Sequence, residues 1–351
     1  MSVLYNIKIS GSAPWLYPTN TFFGLLWYDE DEALEIPKRY PYRGEWGEIL
    51  STMLLLRDEY PIPKVLSLVY LSFVEKKFYG TEAELPRKEI EEQWGRVDEI
   101  THESMFSHIV IGMAPYGKVA IWIRGFNKSM LVEWLQAQDV DVEMADFLPN
   151  NPTIELGDYC DIYICNDTRV KENLMKNGLP PRNLFDNYMK QFSYRYLVLF
   201  EKWKKDDEEW EKYAENENVP VFDFIEESLY DGTHDKLHDG GLMKYHQAGK
   251  PKKLRVEWHI GKSEYSAYFW FEDERIREVF DRFYGAHPDT KTDFIIRIDA
   301  EKRKYELALY RYGLKEPQVI PEDVYQLLVF KNKFEDYRSE NYNQERGAWI
   351  W

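Results

Sequence analysis

Apolar side chains recur at every second position in two distant parts of the chain. The alternating apolar residues are Leu66, Leu68 and Tyr70 in the first part and Leu254, Val256 and Trp258 in the second. A period of two predicts β-strands, because successive side chains of a strand point to opposite faces. A second aromatic run follows in each part, at Phe78 and Tyr79 and at residues 265–271. It predicts a second strand.

A charged stretch with helical periodicity follows these strands in both parts, at residues 86–94 and 273–284. In the second stretch, Val279 and Phe280 lie three and four positions after Ile276. This spacing predicts a helix with one apolar stripe, and the stripe needs a sheet against which it can be buried.

The two parts then end alike. Residues 106–124 and 293–311 each contain two strand patterns joined by a turn, which predicts a hairpin. Residues 63–124 therefore recur, in degraded form, at residues 251–310. From this duplication we predict an α+β fold of two tandem units, each a mainly antiparallel sheet with a helix (strand, strand, helix, strand, strand). The opposite sheet face is expected to be free for solvent or a partner.

The remaining chain predicts further elements and a domain boundary. They are strands at residues 4–10, 21–28 and 159–165, a helix at 129–138 and a long helix between the units at 183–213. A loop rich in proline and asparagine, at residues 149–152, is the predicted boundary between a first domain at 1–150 and a second at 151–351.

The charge of the chain restricts its partners. The net charge is −17, since 62 acidic residues outnumber 45 lysines and arginines. A nucleic-acid backbone requires a basic surface, so we expect no nucleic-acid partner. Solubility alone accounts for an acidic balance. The functional interpretation is an acidic surface whose field attracts a basic protein.

Aromatic residues make up 16% of the chain, with 12 Trp and 26 Tyr. They either thicken the packing of sheets, which is the more common case, or supply contact area at a binding face. The candidate binding residues are Trp46, Tyr116, Trp122, Trp258, Trp270, Trp349 and Trp351. Of these, Trp46 lies in a loop between two glycines and is interpreted as buried rather than exposed, since a lone tryptophan usually is.

The cysteines and the N-terminus indicate a cellular compartment. No run of 18 apolar residues occurs, and residues 1–11 lack a charged segment followed by an apolar one. We therefore expect a soluble, unsecreted chain with no membrane span. On the predicted strand, Cys160 and Cys165 lie on opposite faces, too far apart to bridge easily. Two reduced cysteines suit the cytoplasm.

Motifs for catalysis and cofactor binding are missing. No serine lies in G-x-S-x-G, neither cysteine has a nearby histidine, and no glycine-rich phosphate-binding motif occurs. We therefore expect no cofactor and favour a protein without enzyme activity. His234 and His238 are four positions apart, and on one helical face they could ligate a metal, with His246 as a third ligand. An exposed polar loop is the more common meaning of this glycine-rich segment.

Several motifs resemble one family. They are Ser10-Gly-Ser-Ala-Pro14, Gly44-Glu-Trp-Gly47, the Phe78-Tyr79 strand before a helix, and the hairpin from Gly112 to Trp122. Over residues 5–138 the chain resembles the bacterial DUF2931 family. The resemblance implies a bacterial protein, sometimes encoded near secreted toxins, and hence an immunity role; it transfers no activity and no catalytic residues. Many relatives carry a lipoprotein signal that this chain does not show, so a periplasmic location is not implied.

Taken together, these patterns predict a non-enzymatic, acidic protein-binding protein, of the kind that inhibits a toxin or confers immunity to it. A basic protein is the expected partner, and the oligomeric state is left open. The alternative is a carbohydrate-binding or hydrolytic protein with carboxylates and tryptophans in a cleft between the two units.

Overall fold

Alternating apolar positions form strands in both halves of a computed structural model of the chain. The structure describes residues 3–38, 41–52, 57, 59–97, 104–200, 220–238, 242, 244–285, 287–299, 304–333 and 339–341. Strands predominate over helices, so the fold is mixed α+β. The described residues form two compact units, unit 1 within Met1–Tyr188 and Asp231–Thr233, and unit 2 within Met189–Tyr230 and His234–Trp351. The predicted boundary between domains at residues 150 and 151 stays a prediction.

Unit 1 contains two sheets. Its strands are β1 (Lys8–Ser12), β2 (Thr19–Trp27), β3 (Ala33–Glu35), β4 (Val65–Ser72), β5 (Lys77–Glu84), β6 (His108–Ala114), β7 (Lys118–Arg124), β8 (Lys128–Gln136) and β9 (Gln138–Val140). One sheet has the order β1-β6-β7-β8 and the other β3-β2-β4-β5-β9. The pair β1 and β6 is parallel, and the other pairs are antiparallel.

The core of unit 1 lies between these sheets. Apolar residues of β4, such as Leu66 and Leu68, and of β6, such as Ile109 and Ile111, share one buried cluster. The helices are α1 (Arg87–Trp94), α2 (Met144–Phe147), α3 (Leu156–Asn166), α4 (Thr168–Asn177) and α5 (Leu184–Tyr188). Helix α1 adds its buried Trp94 to the same core.

Unit 2 also contains two sheets. Its strands are β10 (Phe192–Phe200), β11 (Pro220–Leu229), β12 (His234–Leu237), β13 (His246–Ala248), β14 (Pro251–Ile260), β15 (Ser263–Phe271), β16 (Thr292–Asp299), β17 (Lys304–Arg311), β18 (Gln318–Val319), β19 (Tyr325–Lys333) and β20 (Ser339–Asn341). One sheet has the order β13-β10-β16-β17-β18 and the other β12-β11-β14-β15-β19-β20. Here the pair β10 and β16 is parallel.

Helix α6 (Asp273–Tyr284) closes the core of unit 2. The Glu272 carboxylate accepts the N–H of Arg275 at 2.9 Å and so caps the first turn. Ile276, Val279 and Phe280 are buried against the sheets. The apolar stripe predicted from the sequence is confirmed.

Several predicted elements are wrong. Residues 128–136 form strand β8 rather than a helix, and the predicted strand with both cysteines is helix α3. The predicted long helix is only the short α5 followed by strand β10, and residues 201–219 lie outside the described chain. The apolar residues of this segment fit the period of a helix and that of a strand, because Phe192, Tyr194 and Tyr196 also alternate with period two. Pairing with neighbouring strands decided between them.

The arrangement within each repeated stretch also differs from the expectation. The strands β4 and β5 belong to one sheet, and β6 and β7 belong to the other. In unit 2, β14 and β15 are likewise separated from β16 and β17. The prediction of one continuous sheet in each unit is therefore wrong, and the two sheets of a unit bury each other's apolar faces.

Candidate functional site

Tyr116 lies in the turn between β6 and β7, in a backbone conformation that side chains rarely adopt. Its φ is 64° and its ψ is 27°. This left-handed conformation costs a residue other than glycine about 1–2 kcal/mol. Such strain persists where surrounding contacts enforce it, and it often marks a functional site. Among the described residues, Lys76 is the one other non-glycine residue with a positive φ, 56°.

Glu75 holds the backbone of Tyr116 from the neighbouring turn between β4 and β5. The Tyr116 N–H donates to Oε2 of Glu75 at 2.8 Å, and the hydroxyl of Tyr79 donates to Oε1 at 2.8 Å. Burial and the hydrogen bond to Glu75 raise the pKa of Tyr79, which keeps this donor protonated. Both carboxylate oxygens therefore have donors, and Glu75 connects the two strained turns.

The carbonyl and the ring of Tyr116 are fixed as well. Nε2 of Gln136 donates to the Tyr116 carbonyl at 2.7 Å, and the Tyr116 hydroxyl donates to the Pro180 carbonyl at 2.7 Å. The Arg182 guanidinium lies 5.6 Å from the ring centroid. Burial and, to a lesser extent, the Glu75 carboxylate raise the pKa of Tyr116, so the phenol stays protonated at neutral pH. The half-buried ring is thus held in one orientation.

Gly117 allows the turn to close. Its φ is 71°, and a Cβ at this position would lie 2.3 Å from the Ala137 carbonyl oxygen. The Ala137 N–H donates to the Gly117 carbonyl at 2.7 Å. Only glycine combines this φ with so close a backbone approach. The Pro-Tyr-Gly sequence of the hairpin therefore has a specific backbone requirement.

Charged and aromatic side chains flank the turn. Nζ of Lys118 lies 2.7 Å from Asp186 and 5.8 Å from the centroid of the Trp134 ring. We call Glu75, Tyr116, Lys118, Trp134 and Arg182 the Tyr116 patch. Tyrosine, tryptophan and arginine are the residue types enriched where binding energy concentrates in protein interfaces. The patch thus combines a ring held in one orientation with charged side chains of both signs.

A second cluster of unit 1 fixes the loop that carries Trp46. The hydroxyl oxygen of Ser12 accepts the Gly47 N–H at 3.1 Å, and the hydroxyl donates to the Glu45 carbonyl at 3.2 Å. Gly47 itself has a φ of 82°. The Ser-Gly-Ser and Gly-Glu-Trp-Gly motifs therefore contact each other, and their shared role is structural.

Trp46 packs against Trp122 inside this cluster. The two rings are nearly perpendicular, with centroids 4.9 Å apart, and a Cβ at Gly112 would lie 2.3 Å from the Trp122 ring. Trp46 is 8% exposed and Trp122 is fully buried. Trp122 alternates along β7 with core residues such as Ile121, so the cluster covers the second face of this sheet. The expectation of a free face is wrong for this sheet.

Comparison with known families agrees with these motifs. Residues 6–180 match the model of a family described as "Protein of unknown function (DUF2931)". Through this segment the chain belongs to the DUF2931 family. A search of curated proteins finds no match, and a search of solved structures finds none.

The Tyr116 patch lies almost wholly within the DUF2931 segment. Of its five residues, Arg182 alone lies beyond residue 180. The Trp46 loop and its Ser12 contact lie inside the segment too. In the described part of this DUF2931 protein, no helix combines the length and the apolar content that crossing a bilayer requires.

The other predicted binding residues lie in unit 2 or outside the described residues. Trp258 is fully buried and stacks on Tyr265 with centroids 5.5 Å apart. Trp270 is half-buried on the sheet face opposite the unit 2 core, stacked on Tyr268 at 5.5 Å. Trp349 and Trp351 lie outside the described residues. Of the tryptophans predicted to bind that the structure describes, Trp270 is thus half-buried and the others are buried.

The predicted metal ligands lie on a strand rather than on a helix. His234 is the first residue of β12, and His238 follows its last residue. Four residues along a strand span about 13 Å, so the spacing does not bring the imidazoles together. No group of three or more potential ligands is found among the histidine, cysteine, aspartate and glutamate residues that the structure describes.

Sequence reasoning identified Tyr116 but missed its supports. Glu75 is one of 62 acidic residues, and nothing in its sequence context distinguishes it. The contacts of Tyr116 with Glu75 and Pro180 join residues 41 and 64 positions apart. The available signal was a tyrosine between proline and glycine in a predicted hairpin turn. It did not indicate strain at the tyrosine, because glycine alone is sufficient to explain a turn.

Proposed function

We propose that this DUF2931 protein binds another protein through the Tyr116 patch and has no catalytic activity of its own. The observation that carries the proposal is the left-handed backbone of Tyr116, which contacts from Glu75, Gln136 and Pro180 maintain. A ring fixed before binding loses little conformational entropy when a partner docks on it.

The proposed partner is basic, and the proposed role is inhibition of, or immunity to, a secreted bacterial toxin. The net charge of −17 supports a basic partner, because a protein of that charge attracts cations at long range. The family resemblance supports the immunity role only by implication. Glu75 supports a binding role in a different way, because each of its carboxylate oxygens accepts a hydrogen bond that holds the Tyr116 turn or Tyr79 in place.

Affinity capture from source cells tests this proposal. The wild-type chain is compared with Tyr116→Gly, which removes the ring and tolerates the left-handed backbone. Tyr312→Ala is the matched control, because Tyr312 is a 98% exposed tyrosine outside the patch. We expect one protein that is retained by the wild type and by Tyr312→Ala and lost with Tyr116→Gly. The absence of any partner at micromolar concentrations would contradict the proposal.

Carbohydrate binding is the second candidate function, and Trp270 is the observation that favours it. The stacked rings of Tyr268 and Trp270 lie opposite Arg255 and Lys253 on the neighbouring strand, so apolar ring surface adjoins hydrogen-bond donors. Calorimetric titration with neutral oligosaccharides checks it. Binding that is lost with Trp270→Ala and kept with Tyr116→Gly would favour this function over the first.

We also propose that the two units are diverged copies of one ancestral unit. Support comes from strand pairing: β1 pairs in parallel with β6, as β10 does with β16. A register shift interrupts β2 opposite β4 and, likewise, β11 opposite β14. Experimental structures of other DUF2931 proteins test this, because relatives with a single unit should superpose on both.

A further inference from the structure

Strand β5 of unit 1 is paired along its whole length on one side and only in part on the other. It pairs with β4 from Lys77 to Glu84. On its other side, β9 pairs with Phe78, Tyr79 and Gly80 alone. Among the described strands none continues this pairing beyond Gly80. Half of β5 is therefore an open sheet edge.

Hydrogen-bond alternation identifies the free backbone groups on this edge. The Leu85 N–H donates to the Lys64 carbonyl at 2.7 Å, so residue 85 points its backbone groups toward the β4 side. In an antiparallel pair this direction alternates from residue to residue. Glu82 and Glu84 consequently direct their N–H and C=O groups outward, toward the open edge. No described strand pairs with these groups.

The side chains of Glu82 and Glu84 give this edge a charge. Both are exposed, and as alternate residues of a strand they lie on one face. No cation forms an ion pair with either among the described residues; Glu82 contacts the Ser67 hydroxyl at 3.5 Å. The two exposed carboxylates thus give the free half of β5 a negative charge.

We propose that the free half of β5 binds an extended, basic segment of a partner protein by adding it as a further strand. Backbone groups of Glu82 and Glu84 pair with the segment, and lysine or arginine at alternate positions faces the two carboxylates. The inference rests on the proposed protein-binding function and specifies the partner's chemistry. It uses a surface different from the Tyr116 patch.

Charge selects this occupant over a second copy of the chain. Two β5 edges brought together antiparallel would place glutamates near glutamates, and like charges in directly opposed positions destabilise a strand pair. Exposed charges on an edge are also a common protection against self-pairing. The same charges stabilise a basic strand, so the edge favours a basic segment over a second copy of the chain.

The test uses the full chain and a fluorescent peptide of alternating lysine and valine. Anisotropy gives its affinity for the wild type and for Glu82→Pro, which removes the outward N–H without removing a bond to β4. We expect the proline variant to bind about tenfold more weakly, since a backbone hydrogen bond and its register are lost. Glu89→Lys, a charge change at an exposed position of α1, is the matched control and should retain most of the affinity.

Hydrogen exchange on the wild type gives an independent readout that does not depend on the variant's folding. The peptide should slow exchange at the Glu82 and Glu84 amides. A peptide of alternating glutamate and valine should leave both unchanged. Equal affinity of wild type and Glu82→Pro, unprotected amides, or dimerisation through β5 would each overturn the inference.

The outcome is separable from that of the protein-binding proposal. Tyr116→Gly should leave the affinity for the lysine–valine peptide unchanged, because the patch lies at the opposite end of β5. If the peptide does not bind but capture through Tyr116 succeeds, strand addition is wrong and protein binding stands. If the peptide protects β5 and no natural partner is captured, the edge binds basic strands and the Tyr116 proposal fails.

Discussion

Units 1 and 2 protect different edges of similar sheets. In unit 1, β8 pairs with β7 at seven positions and β9 pairs with β5 at three. In unit 2, β18 pairs with β17 at only two positions, whereas β19 pairs with β15 at nine. Strand order is thus alike, while the lengths of the strands that pair next to β7 and β5 differ from those next to β17 and β15. The difference teaches that binding surface can be gained or lost at a sheet edge without altering the core.

The largest expected effect comes from removing the fully buried tryptophan of either unit. Trp122→Ala in unit 1 and Trp258→Ala in unit 2 should each lower the free energy of unfolding by about 3–5 kcal/mol, because each leaves a large cavity. Urea denaturation measures this loss. Trp270→Ala is the control, since its ring is half-buried, and a loss as large as that of Trp258→Ala would contradict the assignment of Trp258 to the core.

A smaller effect is expected at the turn of unit 1 that contains the strained tyrosine. Gly117→Ala should destabilise the chain by about 2–3 kcal/mol, from its positive φ and from the collision with Ala137. Gly313→Ala separates the two causes: Gly313 has a φ of 94°, but no atom lies within 4 Å of the point that its Cβ would occupy. Its cost should be about 1 kcal/mol. Equal losses in chemical denaturation would show that the close approach adds nothing.

At Tyr116 itself the usual order of glycine and alanine should reverse. Both substitutions remove the ring, but only glycine accepts the left-handed backbone at no cost. We expect Tyr116→Gly to be more stable than Tyr116→Ala by about 1 kcal/mol in urea denaturation. At an ordinary strand position such as Thr81, alanine should be the more stable replacement. If the alanine variant were the more stable one at both Tyr116 and Thr81, the proposed backbone strain at Tyr116 would be wrong.

The last expected effect distinguishes the units by pH. Burial, with Lys8 and Arg124, lowers the pKa of His108 in unit 1 to about 4. Its unfolded form binds a proton near pH 6.5, so unit 1 should lose stability as the pH falls from 6.5 toward 4. In unit 2, burial lowers the pKa of His246, but the Glu227 carboxylate, which lies 3.5 Å from Nε2, outweighs this and raises the pKa overall.

His246 therefore has the opposite sign. Its contribution is complete below pH 6.5 and is lost as the pH rises through its raised folded-state pKa. NMR titration of the two imidazoles should show His108 titrating below pH 6.5 and His246 above it. His108→Asn should flatten the acid side of the stability profile and His246→Asn the neutral side. Two histidines that both titrate near pH 6.5 would remove this difference between the units.

The sequence predicted those parts of the fold that depend on local pattern. The stripe with Ile276, Val279 and Phe280 identified α6, and the alternation of Leu66 with Leu68 identified β4, since one buried face imposes one period. The alternation of Phe192 and Tyr194 was overlooked because the same segment also fits helical spacing. Pairing with β13 and β16 makes this segment a strand rather than a helix, and both of these strands are distant in the sequence.

The candidate site was less predictable for the same reason. Tyr116 was among the residues predicted to bind, but its left-handed backbone depends on Glu75 and Gln136, which reach it from other elements. The open edge of β5 depends on the three-residue length of β9, which the sequence analysis did not predict. Sites formed by contacts between distant segments leave no periodic signal in any one of them.

The two cysteines of α3 have a practical consequence for such experiments. Cys160 is buried, and burial raises the pKa of its thiol to about 12, whereas Cys165 is exposed. Only a thiolate reacts readily with maleimide reagents, so Cys165 should label at neutral pH while Cys160 stays unmodified. The wild-type chain thus offers a single attachment point for a dye or spin label in unit 1, and mass spectrometry can verify one adduct before unfolding and two after it.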